Sequence, residues 1–272
     1  MKLSNPSPGI PFDRADATAI EAVYQFATES LGFDPSDIIV YGWSIGGYAT
    51  SYIAMSHPDI GGIILDATFD DIIPLAIPRM PDFLGSATVK CCHNYFNLHN
   101  AQLLTKYPGP VRIIRRSSDE IISTGNPSPK FNRGNDLLLS LLSARYPTLF
   151  TPHVIDTTLQ WFLKVDPASR RHSLVEFDVE FCKQQVQLLS GPPPYELLGE
   201  GFSDSEKVMM AYYLFSKYFT DCPGGHNNPL PQKYFLLPWS HTEVNVQRID
   251  KEAPVYDHDG TPIVSYAEDK TE

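Results

Sequence analysis

The chain is poor in the features that mark several large classes of protein. Its 272 residues include four cysteines, Cys91, Cys92, Cys182 and Cys222. None forms a C-x-x-C pair and no histidine stands at zinc-finger distance, so no metal site or disulfide framework is expected. Adjacent Cys91 and Cys92 read as ordinary thiols, and the expected compartment is reducing and cytosol-facing. Positive charge is also scarce: 21 Lys and Arg stand against 32 Asp and Glu, a net charge of −11. That balance excludes a general binder of nucleic-acid phosphates. It leaves a membrane surface open as a partner, because apolar contact can dominate there. No apolar run approaches the roughly 18 to 20 residues of a spanning helix. The start, "MKLSNPSPGIPFD", lacks the apolar core of a signal peptide, so a soluble chain is expected. What is present is core-forming material, 42% hydrophobic and 12% aromatic, enough for one large domain or two small ones.

Helix and strand patterns alternate in the first half. "ADATAIEAVYQFATESLGF" places Ile20, Val23, Ala27 and Leu31 at helical spacing, with Asp13 or Asp16 near its start to accept from free amides and Phe33-Asp34-Pro35 to stop it. "DIIVYG" is a short apolar strand, "SIGGYATSYIAMSHP" a helix closed by Pro58, and "GGIILDATF" and "GPVRIIRRSSD" two further strands. The strands are apolar along their length rather than alternating. That is the pattern of a parallel sheet covered on both faces, an α/β architecture. Beyond Asp119 the chain turns helical, in "GNDLLLSLLSARYP", "HVIDTTLQWFLK", "LVEFDVEFCKQQVQLL" and "DSEKVMMAYYLFSKYF". Trp161, Phe162, Met209, Tyr212 and Phe215 there read most plainly as core packing. We expect residues 1–242 to form one α/β domain, helix-rich over about 120–220. Residues 243–272 read as a polar, disordered tail.

Gly42-Trp43-Ser44-Ile45-Gly46 fits G-x-S-x-G. The pattern carries meaning only in context, and here a buried strand precedes it and a helix follows. A serine on so sharp a turn needs strained dihedrals and small neighbours. The turn lifts Ser44 clear of the sheet as a candidate nucleophile, and aims the Ile45 backbone N–H at a developing oxyanion. A serine hydroxyl also needs a base, and the base an orienting acid. In the α/β-hydrolase chain order, acid and then histidine follow the serine. Asp119, after the second strand beyond the serine strand, is the candidate acid, with Asp66 as runner-up and helix capping as its plainer role. His226, in the small-residue loop "CPGGHNNPLP", is the candidate base, and His241 is its alternative. Arg115 and Arg116 read as solvated strand-end charges. The chemistry calls for no metal and no organic cofactor.

"YGWSIGGYAT", "MSHPDIGGIILDATFDDIIPLA", "RRSSDEIIST", "NRGNDLLLSLLSARYP" and "HNNPLP" followed by "LPW" together resemble the phosphatidylserine lipases of the α/β-hydrolase-domain family, subfamily sixteen. The likeness runs from about Gly9 to Trp239 and is weakest between Phe150 and Phe202. It implies that residues 1–242 form a partial α/β-hydrolase domain, cap-like over about 120–220, with Trp161, Phe162, Met209, Tyr212 and Phe215 as candidates for an acyl-chain wall. It also implies hydrolysis of an acyl ester of phosphatidylserine, or of a monoacylglycerol, with intracellular membrane association. Ser44 and Asp119 fall on the family's nucleophile and acid, and His226 matches a family histidine in an H-x-x-P-L-P segment. Another histidine, assigned as base in some relatives, aligns with "SGPPPYELLGEG", where this chain has none. Relatives carry membrane segments, several strands and an "HPGF"-type loop ahead of the helix that opens this chain. The expected consequence is a truncated domain without that loop's oxyanion N–H and without a strand beside the serine strand. The sequence thus points to a serine acyl hydrolase acting on a lipid ester. A non-catalytic or regulatory product, and a small-ester hydrolase or peptidase of the same fold, stand as alternatives.

Overall fold

The computed structural model describes residues 13–164 and 178–235, with the backbone of two short strands near the C-terminus. Contacts divide the chain into two units, Met1–Thr242 and Glu243–Glu272. In the second unit the described residues are β5 (Val255–Tyr256) and β6 (Pro262–Ile263), paired antiparallel. The expectation of a disordered tail otherwise falls outside the described residues, as do His172, His241 and His258.

The first unit is built on a four-stranded sheet in the order β1 (Ile39–Trp43), β2 (Gly62–Asp66), β3 (Val111–Arg116), β4 (Phe219–Cys222). All three pairings are parallel, with Gly42 opposite Leu65, Leu65 opposite Ile113 and Ile113 opposite Phe219. This is the sheet that the continuous apolar runs predict, since a parallel strand is buried on both faces and has no polar side to alternate. Every residue of β2 is buried. β4 went unpredicted because "FTDC" is short and joins directly onto a helix.

Helix α1 (Asp13–Gln25) packs on α2 (Gly46–Ser56). The face it buries differs from the predicted stripe: Ala17 and Tyr24 are buried, while Val23 and Leu31 are exposed. Tyr24 meets Ile53 and Ile60, with Ile20, Ile38 and Val40 alongside, and these partners set which side of the helix turns inward. A π-helical turn follows at Phe26–Ser30. Gly32, at φ 75°, ends the helical stretch ahead of Phe33-Asp34-Pro35, in the left-handed conformation that glycine adopts without penalty.

Between β2 and β3 run α3 (Ile73–Ala76), α4 (Gly85–Tyr95) and α5 (Asn100–Leu104). Between β3 and β4 come α6 (Gly134–Arg145), α7 (Pro152–Lys164), α8 (Val179–Gln187) and α9 (Asp204–Tyr218). Helices α6 and α9 lie against β3, and α7 against α9. A Ser203–Glu206 capping box starts α9, satisfying two of its free backbone donors. Arg145, buried, donates to the carbonyls of Tyr107 and Gly109 and to the Tyr218 hydroxyl, tying α6 to the entry of β3 and the end of α9. Of the aromatics considered for an acyl-chain wall, Phe162, Tyr212 and Phe215 are buried. Phe162 sits edge-on to Phe215 and Phe219 and carries the Arg115 guanidinium over its face.

Arg115 and Arg116 are not solvated charges; both are about as buried as the neighbouring isoleucines. Arg115 forks onto Asp221 of β4, at 2.7 and 3.1 Å. Arg116 forks onto Asp66 of β2, at 2.8 and 2.7 Å. A guanidinium is tolerated inside only when such partners replace its water.

The core packs Ile64 of β2 against Ile114, Cys222 and Tyr234. Ile64→Ala is expected to cost about 2–5 kcal/mol through lost burial and a residual cavity, read as a lower urea midpoint with an unchanged slope.

Candidate active site

The C-terminal ends of the four strands converge on one region. β1 leads straight into Ser44, whose φ of 55° is uncommon for a residue with a side chain and stores about 1–3 kcal/mol of strain. Surrounding bonds hold it there. The Ser44 N–H donates to the Asp66 carbonyl at 2.9 Å, and the Thr68 hydroxyl donates to the Ser44 carbonyl at 2.7 Å. The glycines of the motif are not equivalent. A Cβ on Gly42 would stand 2.3 Å from Thr50 Oγ1, and one on Gly47 would stand 2.0 Å from Thr68 Oγ1. A Cβ on Gly46 would meet nothing within 4 Å. The small residues that close this turn are therefore Gly42 and Gly47, and the second glycine of G-x-S-x-G is not sterically required. Ile45 opens α2, where the first N–H groups of a helix lack acceptors within the helix and carry its positive end.

Asp119 follows β3 and is buried. Its Oδ1 accepts from the backbone N–H groups of Ile121 and Ile122, both at 2.9 Å. His226 follows β4 in a tight loop, beside Gly224 at φ 116°. The loop is pinned where Ser118 N–H donates to the Gly224 carbonyl and Gly225 N–H to Asn228 Oδ1. The structure brings the three sequence-predicted side chains together. His226 Nδ1 lies 2.9 Å from Asp119 Oδ2, and His226 Nε2 lies 2.8 Å from Ser44 Oγ. A carboxylate accepts, so Nδ1 carries the proton there and Nε2 is left to accept from the serine hydroxyl.

Asp66, the runner-up acid, lies elsewhere in this network. Both its oxygens are taken by Arg116, and Oδ2 also accepts from the Tyr41 hydroxyl at 2.9 Å. Burial first, and then the Asp66 charge, push the Tyr41 phenol well above its ordinary pKa, which keeps it a donor. Among the described residues no cluster of His, Cys, Asp and Glu could hold a metal ion.

Sequence reading missed three residues that touch the site. Thr68 bonds the strained turn, Trp43 Nε1–H donates to the His226 carbonyl at 3.1 Å, and Glu120 Oε2 accepts the His226 N–H at 3.1 Å. Trp43 and Glu120 each adjoin a predicted residue. Adjacency was the only signal, since a contact spanning more than a hundred residues leaves no local pattern.

A parallel sheet with a serine on the turn after its first strand, an aspartate after the third and a histidine after the fourth is an α/β-hydrolase fold. Comparison with known proteins narrows this. The chain is 40% identical over 240 residues to phosphatidylserine lipase ABHD16A of Rattus norvegicus and of Homo sapiens, which covers 86% of this chain and 43% of each relative. An uncharacterized protein of Caenorhabditis elegans is 31% identical over 241 residues, 85% of this chain and 44% of that one. The resemblance to the subfamily-sixteen lipases therefore holds along most of the chain, which itself spans less than half the length of these relatives. No protein-family model and no solved structure matches the chain.

The glycine geometry makes a sharp prediction. Gly47→Ala is expected to cost about 1–3 kcal/mol by overpacking. Gly46→Ala should stay within about 0.5 kcal/mol. Thermal unfolding of the two variants side by side checks the contrast.

Proposed function

We propose that this chain is a serine acyl hydrolase that cleaves a carboxylic ester of a lipid, with phosphatidylserine as the first candidate substrate and monoacylglycerol as a second. The observation that carries the reading is the unbroken hydrogen-bond chain from Ser44 Oγ through His226 to Asp119. Ser44 Oγ attacks the ester carbonyl as its proton passes to His226 Nε2, and Asp119 orients the imidazole and stabilises its charge. The Ile45 N–H, at the positive end of α2, faces the oxyanion; one such donor is worth about 2.7–4 kcal/mol in the transition state. Collapse of the tetrahedral intermediate expels the lysolipid alkoxide, which takes the proton from His226. Water, deprotonated by His226, then releases the fatty acid from Ser44.

Two observations favour a lipid over a short ester or a peptide. The mammalian relatives are named phosphatidylserine lipases. The segment Ile77–Leu84 also exposes Ile77, Met80, Phe83 and Leu84, with Phe83 at 84%, apolar surface of the kind that meets a membrane. Arg79 ties this segment to the site by donating to the Ile121 carbonyl at 2.5 Å, two residues from Asp119. Among the described residues no helix is long and apolar enough to cross a membrane. The contact proposed for the exposed segment Ile77–Leu84 is with a membrane surface.

Purified chain is expected to label with a fluorophosphonate probe and to release fatty acid from phosphatidylserine vesicles. Ser44→Ala should abolish both. Asp119→Asn should lower kcat by about 10⁴-fold, the size of the effect in serine proteases. A folded chain that takes no label at Ser44 would favour the non-catalytic alternative. Turnover of peptides or short esters without vesicles would favour the small-ester one.

A further inference from the structure

The imidazole of His226 is aligned by the two bonds on its ring, but those bonds do not place the loop that carries it. Two further contacts act on the His226 backbone, one on each of its polar groups. The indole N–H of Trp43 donates to the His226 carbonyl at 3.1 Å, and the two rings lie 5.1 Å apart, inclined at 40°. Glu120 Oε2 accepts the His226 N–H at 3.1 Å. It approaches the loop so closely that a Cβ on Gly225 would stand 3.0 Å from it. The residues making these bonds are the immediate neighbours of the proposed nucleophile and the proposed acid. Each arm of the triad is thus doubled: Ser44 reaches the ring while Trp43 reaches the main chain, and Asp119 reaches the ring while Glu120 reaches the main chain.

We propose that Trp43 and Glu120 are positioning residues that fix the His226 backbone against the serine turn and the acid loop, so that Nε2 stays within proton-transfer reach of Ser44 Oγ. The proposal rests on the reading of Ser44, His226 and Asp119 as a triad. One bond sets a distance, whereas paired bonds from adjacent residues also set an angle, and proton transfer depends on both. The identity of residue 43 acquires a reason: an aromatic ring alone would pack beside His226, but only an indole at this place also donates. Glu120 is exposed, and a lone exposed carboxylate contributes little. Its effect comes from opposing Trp43 across the loop, whose other bonds hold Gly224 and Gly225 rather than the His226 backbone itself.

The test uses the full 272-residue chain with Trp43→Phe, Glu120→Ala, Glu120→Gln and the double variant Trp43→Phe/Glu120→Ala. Three quantities are read: the rate of fluorophosphonate labelling at Ser44, hydrogen exchange in the peptide covering residues 222–230, and the thermal midpoint. Trp43→Phe keeps the ring and loses the N–H, and Glu120→Ala loses the acceptor. Each should slow labelling by about tenfold and speed exchange in the loop, with the midpoint held within about 2 °C. Glu120→Gln, whose amide oxygen can still accept, should recover most of what Glu120→Ala loses. The double variant should lose less than the product of the single losses, since both act on one loop.

Parental labelling rates in Trp43→Phe and Glu120→Ala overturn the proposal. So does slower labelling that only follows a falling midpoint while loop exchange stays parental. If the parent chain takes no label, the hydrolase reading fails on its own account. Loop exchange then decides the positioning claim: faster exchange in the two variants sustains it, and unchanged exchange overturns it.

Discussion

The buried ion pair between Asp66 and Arg116 is the constraint on which the rest of this site is built. Asp66 closes β2 and Arg116 closes β3, and both are essentially withdrawn from water. Tyr41 of β1 donates to the same carboxylate, and Arg116 Nη1 approaches Cys222 Sγ of β4 at 3.2 Å. All four strands thus meet in one network directly below the loops that carry Ser44, Asp119 and His226. Exchanged whole for hydrophobic residues, such a pair is often no loss of stability. Stripped of one partner it leaves a bare charge inside, at a cost of about 3–5 kcal/mol. Its effect is therefore on alignment, because any slip of β3 against β2 separates each charge from its partner of opposite sign. Arg115 and Asp221 repeat the arrangement one residue earlier, between β3 and β4.

From this base the site is assembled close to the strand ends. Ser44 directly follows β1, and Asp119 and His226 come within a few residues of the ends of β3 and β4. A position so near the end of a registered strand restricts where a side chain can go, which is why residues 107 and 182 positions apart meet at hydrogen-bond distance. The doubled contacts at His226 extend the same logic from side chain to main chain.

Much of this was legible in the sequence, for identifiable reasons. β1, β2 and β3 are apolar along their length, and α2 and α6 start and stop close to where their breakers stand. Ser44 announces itself by a local pattern, and Asp119 by its distance along a strand order. His226 was the harder choice, since His241 follows it as an alternative further along the chain; what singles out His226 is β4, a strand too short to read. The burial of Arg115 and Arg116 was invisible because a charged residue at a strand end looks the same whether or not an aspartate waits on the next strand. The exposed face of α1 was misjudged for a related reason: periodicity finds a stripe, but the partner decides which stripe is turned inward.

The serine turn grows from β1, which pairs only with β2 among the described residues. Tyr41 and Trp43 on that strand are substantially exposed, and the strand's outer backbone groups form a row of donors and acceptors of the kind that recruits another strand. A strand added along that edge would bond the same backbone that leads into Ser44, so self-association and the shape of the serine turn would share one element.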